Sequence, residues 1–261
     1  MIRATILGCG SSGGVPRIGN HWGACDPEEP RNRRRRCALL VERLGPQGVT
    51  RALIDTGPDL RAQMLDAGVS HLDGVLWTHS HADHLHGIDD LRQIGINTRA
   101  LIPGWADDAT SDVLRRRFGY VFQTPPGSSY PPICALHRID GPVTVTGAGG
   151  DLTFTPFEVD HGDITALGFR VGGLAYLPDV LAIPEPAWEV IAGADTFICD
   201  ALRRTPHPSH AHLALTLEWM ARLKARRGII TNMHLDMDYR TLLAELPQGV
   251  EPAFDGMTVT L

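Results

Sequence analysis

The chain has 261 residues, 43% of them hydrophobic and 21% charged, with a formal net charge of −6. That is enough for one large domain or two small ones with a real core, and the wrong charge balance for broad binding to nucleic acid or an anionic membrane. The longest apolar runs, such as Ala38-Leu39-Leu40-Val41, fall far short of a membrane span, and the first residues lack the basic stretch and long apolar core of a signal peptide.

Strand-like runs dominate the first third, at 2–8, 37–42, 50–55 and 74–78, with a helical pattern over 58–67 whose Pro58 suits a first turn. A second helix is expected over 106–119, opened by Asp107 and Asp108 and closed by Gly119, followed by a proline-rich loop over 120–132 long enough to be a lid. The second half repeats the logic. Strands are expected near 133–139, 143–146, 151–158, 165–171, 173–177, 195–199, 228–232 and 257–260, with a helix over 209–226 where Leu213, Leu217, Met220 and Leu223 recur at helical spacing. With no repeat or long polar linker, residues 1–261 are expected to form a single domain. Two strand-rich halves with helices suggest two sheets face to face, covered outside by helices: an α/β chain of αββα architecture. Five scattered cysteines, Cys9, Cys25, Cys37, Cys134 and Cys199, contain no Cys-x-x-Cys pair and are expected to be reduced thiols in a cytoplasm.

The densest chemistry is His79-Ser-His81-Ala-Asp83-His84, entered by the apolar stretch Val75-Leu76-Trp77. Three imidazoles and a carboxylate packed so closely repel and desolvate one another unless cations hold them, and this ligand set suits zinc, manganese or iron. If the segment turns sharply after its strand, His79 and His81 can point at one metal and Asp83 and His84 at a neighbour. Further candidates stand at strand ends: Asp55 in Ile54-Asp55-Thr56-Gly57, then His161, Asp179 and His234. Asp55 is expected to hydrogen-bond to a metal-binding histidine, with capping or bracing of its own turn as the alternative. His21, His71, His86, His137 and His207 have no ligand-like context and are read as surface or loop residues.

Two motifs point elsewhere and fail on context. Gly8-Cys9-Gly10-Ser11-Ser12-Gly13 has the letters of a dinucleotide fingerprint, but Gly14-Val15-Pro16 follows where a helix should open, so a tight turn is expected. The basic run Arg31, Arg33, Arg34, Arg35 and Arg36 reads as a solvated loop, with a phosphate-attracting rim as the alternative.

Taken in order, Asp55-Thr-Gly, His79-x-His81-x-Asp83-His84, His161, Asp179 and His234 resemble the metallo-β-lactamase superfamily across nearly the whole chain. The resemblance implies a four-layer αββα sandwich holding two divalent metal ions, zinc or manganese or else iron. His79, His81 and His161 would hold one, Asp83, His84 and His234 the other, with Asp179 bridging them. A finer resemblance is to the PhnP-like phosphoribosyl 1,2-cyclic phosphate phosphodiesterases of phosphonate metabolism. Its marks are Gly8-x-Gly10, Trp22-Gly23-x-Cys25, Asp200 with Ser209-His210-x-x-Leu213, and Phe254-Asp255-Gly256-Met257. Members of that branch can carry a structural zinc on a cysteine cluster after the Trp-Gly. With Cys25 alone there, no structural zinc is expected. The branch often has Thr-His after its late strand, whereas this chain reads Thr231-Asn232-Met233-His234, which leaves Asn232 as an alternative contact to His234.

The expected function is therefore a dinuclear-metal hydrolase cleaving small cyclic phosphodiesters, with a metal-bridged hydroxide as nucleophile. Asp83 and Asp179 would orient it, and His210 would protonate the leaving alkoxide, with service to the 209–226 helix start as the alternative for Ser209 and His210. His212 is a candidate substrate contact. A small phosphodiester is the expected partner, without stable nucleic acid or membrane, and the family suggests a homodimer. A tRNA 3′-processing nuclease, a lactam or thioester hydrolase and a non-enzymatic carrier share the ligand set. The first wants a basic face, the second has no use for the Ser209-His210 segment, and the third would have lost ligands.

Overall fold

A computed structural model describes residues 1–261. It contains two seven-stranded sheets flanked by helices. The first sheet is built from β1 (Ile2–Gly8), β2 (Ala38–Gly45), β3 (Gly48–Ile54), β4 (Gly74–Leu76), β5 (Ile102–Ala106), β6 (Cys134–Arg138) and β14 (Met257–Thr260) in the order β14-β1-β2-β3-β4-β5-β6. The second holds β7 (Val143–Val145), β8 (Leu152–His161), β9 (Ile164–Val171), β10 (Leu174–Leu177), β11 (Thr196–Asp200), β12 (Arg227–Thr231) and β13 (Val250–Pro252) in the order β13-β12-β11-β10-β9-β8-β7. The helices are α1 (Leu60–Asp66), α2 (Ala82–Leu85), α3 (Leu91–Thr98), α4 (Asp108–Phe122), α5 (Glu185–Ile191), α6 (Leu213–Leu223) and α7 (Tyr239–Glu245). No helix is long and apolar enough to cross a membrane.

The chain divides into two compact units, one of residues 1–5, 38–153 and 258–260, the other of residues 6–37, 154–257 and 261. Each follows the same plan. In the first unit β2 and β3 form an antiparallel hairpin, after which β3, β4, β5 and β6 run parallel. In the second, β8, β9 and β10 are antiparallel, and β10, β11, β12 and β13 parallel. Strands β4, β10 and β11 are buried throughout, as parallel strands covered on both faces must be, which is why their sequences are apolar runs without alternation. In such sheets functional side chains collect beyond the carboxyl ends of the parallel strands.

The structure revises several boundaries. The 102–106 segment, Ile-Pro-Gly-Trp-Ala, pairs as a strand despite its proline and glycine. Gly104 is required there, because a Cβ would lie 2.6 Å from the Trp77 ring. Helix α4 is capped by the Asp107 carboxylate, which accepts from Thr110 N at 2.7 Å, and runs past Gly119 to Phe122. Helix α6 begins at Leu213, not 209, so Ser209 and His210 lie in the loop before it and do not cap it; His212 holds the N-cap position. The Gly8–Gly13 segment closes a turn through Gly14 N→Ser11 O at 2.7 Å and opens no helix.

Candidate metal centre

In the first unit, the donor-rich hexapeptide follows β4. Trp77 is fully buried, its indole N–H donating to Thr56 Oγ1 at 2.9 Å, which fixes the chain's exit from the strand. Thr56 N in turn donates to His84 O and Gly87 N to Thr56 O, both at 2.8 Å, tying the Asp55-Thr56-Gly57 turn to α2. The expected sharp turn is present: His81, in extended conformation, is the N-cap of α2, which carries Asp83 and His84. The rings of His79 and His84 stand 4.2 Å apart and those of His79 and His81 4.7 Å.

Hydrogen-bond donors fix which nitrogens present lone pairs. Thr78 has one hydroxyl proton and gives it to Asp55 Oδ2 at 2.8 Å, so its oxygen accepts from His79 Nδ1 at 3.0 Å and the His79 lone pair is on Nε2. That Nε2 lies 3.0 Å from His81 Nδ1. His84 Nδ1 donates to Asp55 Oδ2 at 2.7 Å, placing the His84 lone pair on Nε2, which sits 3.5 Å from Asp83 Oδ2. Asp55 thus orients His84 directly and His79 through Thr78. Burial raises its carboxyl above the usual range, opposed by His84 and by the Thr78 amide and hydroxyl.

In the second unit the donors again emerge at strand ends. His161 closes β8, and its Nδ1 donates to Ser209 O at 2.6 Å, which leaves the Nε2 lone pair 3.5 Å from Asp179 Oδ2. Gly162 follows at φ 76°, where a Cβ would come within 2.8 Å of Ser209. Asp179 lies just past β10, its Oδ1 accepting from Asn232 Nδ2 at 3.3 Å. Asp200 ends β11, completely buried, accepting from Val180 N at 3.1 Å and from His210 Nδ1 at 2.9 Å through Oδ2. Its Oδ1 is buried with no hydrogen-bond partner. Burial raises its carboxyl, His210 pulls it back, and Asp179 adds to the rise. His234 is partly exposed and is turned by Asp236, whose Oδ1 accepts from its Nδ1 at 3.0 Å.

Two residues at strand ends, Asp55 and Asn232, have left-handed backbone at φ 67° and 58°. For a residue other than glycine this costs about 1 kcal/mol, and it persists where the side chain is needed.

The arrangement fits divalent cations. Ring nitrogens whose other nitrogen is committed to a carboxylate, hydroxyl or carbonyl present lone pairs toward one another and toward carboxylate oxygens, contacts that repel unless a cation or a shared proton lies between. His79 and His81 in the first unit, and His161 and Asp179 in the second, are donors of the types that hold a metal ion. Asp83 and His84, on α2, accompany His79, which precedes that helix. Sequence reading undervalued three residues here. Asp200, named only as a branch mark, carries His210. His207, read as a loop residue without context, has its ring 5.1 Å from that of His210, and its Nδ1 accepts from Ser209 N at 3.3 Å. Arg34, placed in a solvated run, is buried beneath His234. The crowding of Pro206-His207-Pro208-Ser209-His210 was the available signal for the second; nothing in the basic run marked Arg34 out.

A β-lactamase superfamily domain matches residues 50–233. The crystal structure of a diphosphatase from the PhnP family is 33% identical and superposes with a TM-score of 0.89 over 100% of this chain and 98% of that one. Among curated proteins, an octanoyltransferase of Porphyromonas gingivalis is 32% identical over 260 residues, 98% of this chain and 51% of that protein. A ribonuclease Z of Bradyrhizobium diazoefficiens is 32% identical over 160 residues, 59% of this chain and 50% of that protein. The chain spans about half the length of these curated relatives. With its two mixed sheets and flanking helices, it has the metallo-β-lactamase fold and carries histidine and aspartate donors suited to divalent metal, and it belongs to the β-lactamase superfamily, on the PhnP branch.

Proposed function

We propose that the protein is a dinuclear-metal phosphodiesterase acting on small cyclic phosphodiesters of the phosphoribosyl 1,2-cyclic phosphate type. His79, His81 and His161 would hold one cation, Asp83, His84 and His234 the second, with Asp179 shared, zinc and manganese being the matching ions. Bound there, divalent cations acidify a water toward neutrality and offset charge on the phosphoryl oxygens. The observation that carries the diester reading is His210. Its ring lies 4.6 Å from that of His161 and its Nδ1 is held by Asp200 at 2.9 Å, so an imidazole outside the proposed ligand set is poised beside it.

An alkoxide leaving from phosphorus needs a proton in the transition state, whereas a phenolate does not. His210 Nε2 delivers that proton. Asp200 accepts from the opposite nitrogen, Nδ1, at 2.9 Å and so orients the ring. The His161 bond to Ser209 O fixes the loop bearing His210 relative to a proposed ligand. Asp83 and Asp179 orient the attacking water. The net charge of −6 favours a small diester over RNA.

The test compares leaving groups. In His210→Ala, turnover of phosphoribosyl cyclic phosphate and 2′,3′-cyclic nucleotides should fall about 10²–10⁴-fold, while bis-p-nitrophenyl phosphate should lose less than about 10-fold. Equal losses on both, or none, would remove His210 as the acid. Pre-tRNA, a dinucleoside diphosphate, a β-lactam and an octanoyl thioester complete the panel. Turnover confined to any of these would overturn the diester assignment.

A further inference from the structure

The basic run and the Trp22-Gly23-x-Cys25 motif are not used by this mechanism, and the structure brings both against one short segment, residues 232–238. Arg34 is 2% exposed and among the largest fully buried side chains of the protein. Its guanidinium donates from Nη2 to Met237 O at 2.6 Å and to Asn32 Oδ1 at 3.2 Å, and from Nη1 to His234 O at 3.4 Å, with Cys25 Sγ at 3.8 Å. Its partners are carbonyls, an amide oxygen and a thiol sulfur rather than a carboxylate. A cation buried on those terms binds backbone geometry, because only a planar fork of donors spans two carbonyls three residues apart.

The rest of the cradle agrees. Met237 N donates to His234 O at 3.1 Å, so Arg34 caps both ends of a tight turn. Asn32, fully buried, accepts from Tyr239 N at 2.8 Å and donates to Asp238 Oδ2 at 2.7 Å, locking the exit of that turn. On the other side Ala24 N donates to Leu235 O at 2.8 Å, and Gly23 lies so close that a Cβ would fall 1.9 Å from Leu235 Cδ1. His234 N itself donates to Leu202 O at 2.8 Å. The backbone of His234 is therefore held at its own amide and carbonyl, and through its neighbours.

We propose that Arg34 is a positioning residue for His234: its buried guanidinium clamps the His234–Met237 turn and sets where the His234 imidazole stands, two residues beyond the strand-end position of Asn232. The inference rests on the reading of His234 as a metal donor. It assigns a function to one arginine of the run while leaving its neighbours outside: Arg31 stacks over Tyr239 and Phe254, and Arg33 over Trp22.

The experiment titrates metal-free protein with Zn²⁺ against a chromophoric chelator, and with Co²⁺ while following visible absorption, for wild type, Arg34→Lys, His234→Ala and the double variant. Lysine keeps the charge and loses the fork. Arg34→Lys should bind one equivalent as wild type does and the other about 10–100-fold more weakly, with an altered Co²⁺ spectrum. The double variant should be no weaker than His234→Ala alone. A folded Arg34→Lys that binds both equivalents with wild-type affinity and spectrum overturns the inference, even if its thermal midpoint drops. His234→Ala retaining both equivalents overturns instead the ligand reading beneath it. Should Arg34→Lys not fold, Gly23→Ala decides, since its Cβ presses the same turn from the opposite side. Selective loss of one equivalent supports the clamp, and retention of both rejects it.

Discussion

Replacing Thr78 by valine removes a single hydroxyl and almost no volume, and it tests the direction of every hydrogen bond deduced around Asp55. The hydroxyl gives its proton to Asp55 Oδ2 at 2.8 Å and takes one from His79 Nδ1 at 3.0 Å, with all three side chains essentially buried. In the variant Asp55 keeps the Thr78 amide and His84 but loses one charge-assisted bond, and His79 Nδ1–H loses its acceptor. Losing a bond to a charged group costs about 1.5–3 kcal/mol, and stranding a buried donor about 1–3 kcal/mol. Allowing for relaxation and a tautomer change at His79, the net loss should be about 3 kcal/mol, roughly 6–12 °C in the thermal midpoint of the metal-free protein. Metal affinity should fall about 10–100-fold, because the ring is no longer held with its lone pair on Nε2. Calorimetry of the metal-free protein, chelator-competition titration and ¹⁵N shifts of the histidine ring report the three quantities. An unshifted midpoint with unchanged affinity would refute the relay from Asp55 through Thr78 to His79.

Further predictions concern packing and pH. Gly104→Ala drives a methyl to 2.6 Å from the Trp77 ring, so it should cost about 1–3 kcal/mol and shift Trp77 fluorescence; neutral stability would show that β5 yields freely. Burial pushes the Asp238 carboxyl up, but bonds from the Thr241 and Asp26 amides, Asn32 and the Thr241 hydroxyl outweigh it and hold the group at about 2, against an ordinary 3.8. A lowered folded-state value means stabilisation present above the unfolded value and lost as pH falls through the folded one. Urea titrations should therefore show wild type losing about 2 kcal/mol more than Asp238→Asn between about pH 4 and 2. Parallel curves would refute the assignment.

How much was legible in sequence follows from where information is local. The His79–His84 hexapeptide declares itself because the donors are adjacent, and the strand-end positions of His161 and Asp179 follow from apolar runs that stop at a polar residue. β5 carries no strand signature in the sequence, because Pro103 and Gly104 interrupt it, and the reason for Gly104 is a ring 27 residues earlier in the chain. The four-residue error at the head of α6 arose because Ser209 has the chemistry of a cap, whereas its carbonyl serves His161. Arg34 was illegible for a stronger reason. Its five-residue neighbourhood is the most basic in the chain, and only the backbone of residues 234–237, two hundred positions away, distinguishes it from the arginines on either side.

The left-handed backbone at Asp55 and Asn232 has a consequence for evolution and engineering. Glycine relieves such a conformation at no steric cost, a gain of about 1 kcal/mol at each position, but at Asp55 it would strand the buried donors of Thr78 and His84, which costs more than it gains. The carboxylate on His84 and Thr78, and the amide on Asp179, would go with it. Thermostability and chemistry therefore pull together at Asp55 and apart at Asn232, where a screen scoring only heat resistance should accumulate glycine while discarding the amide on Asp179.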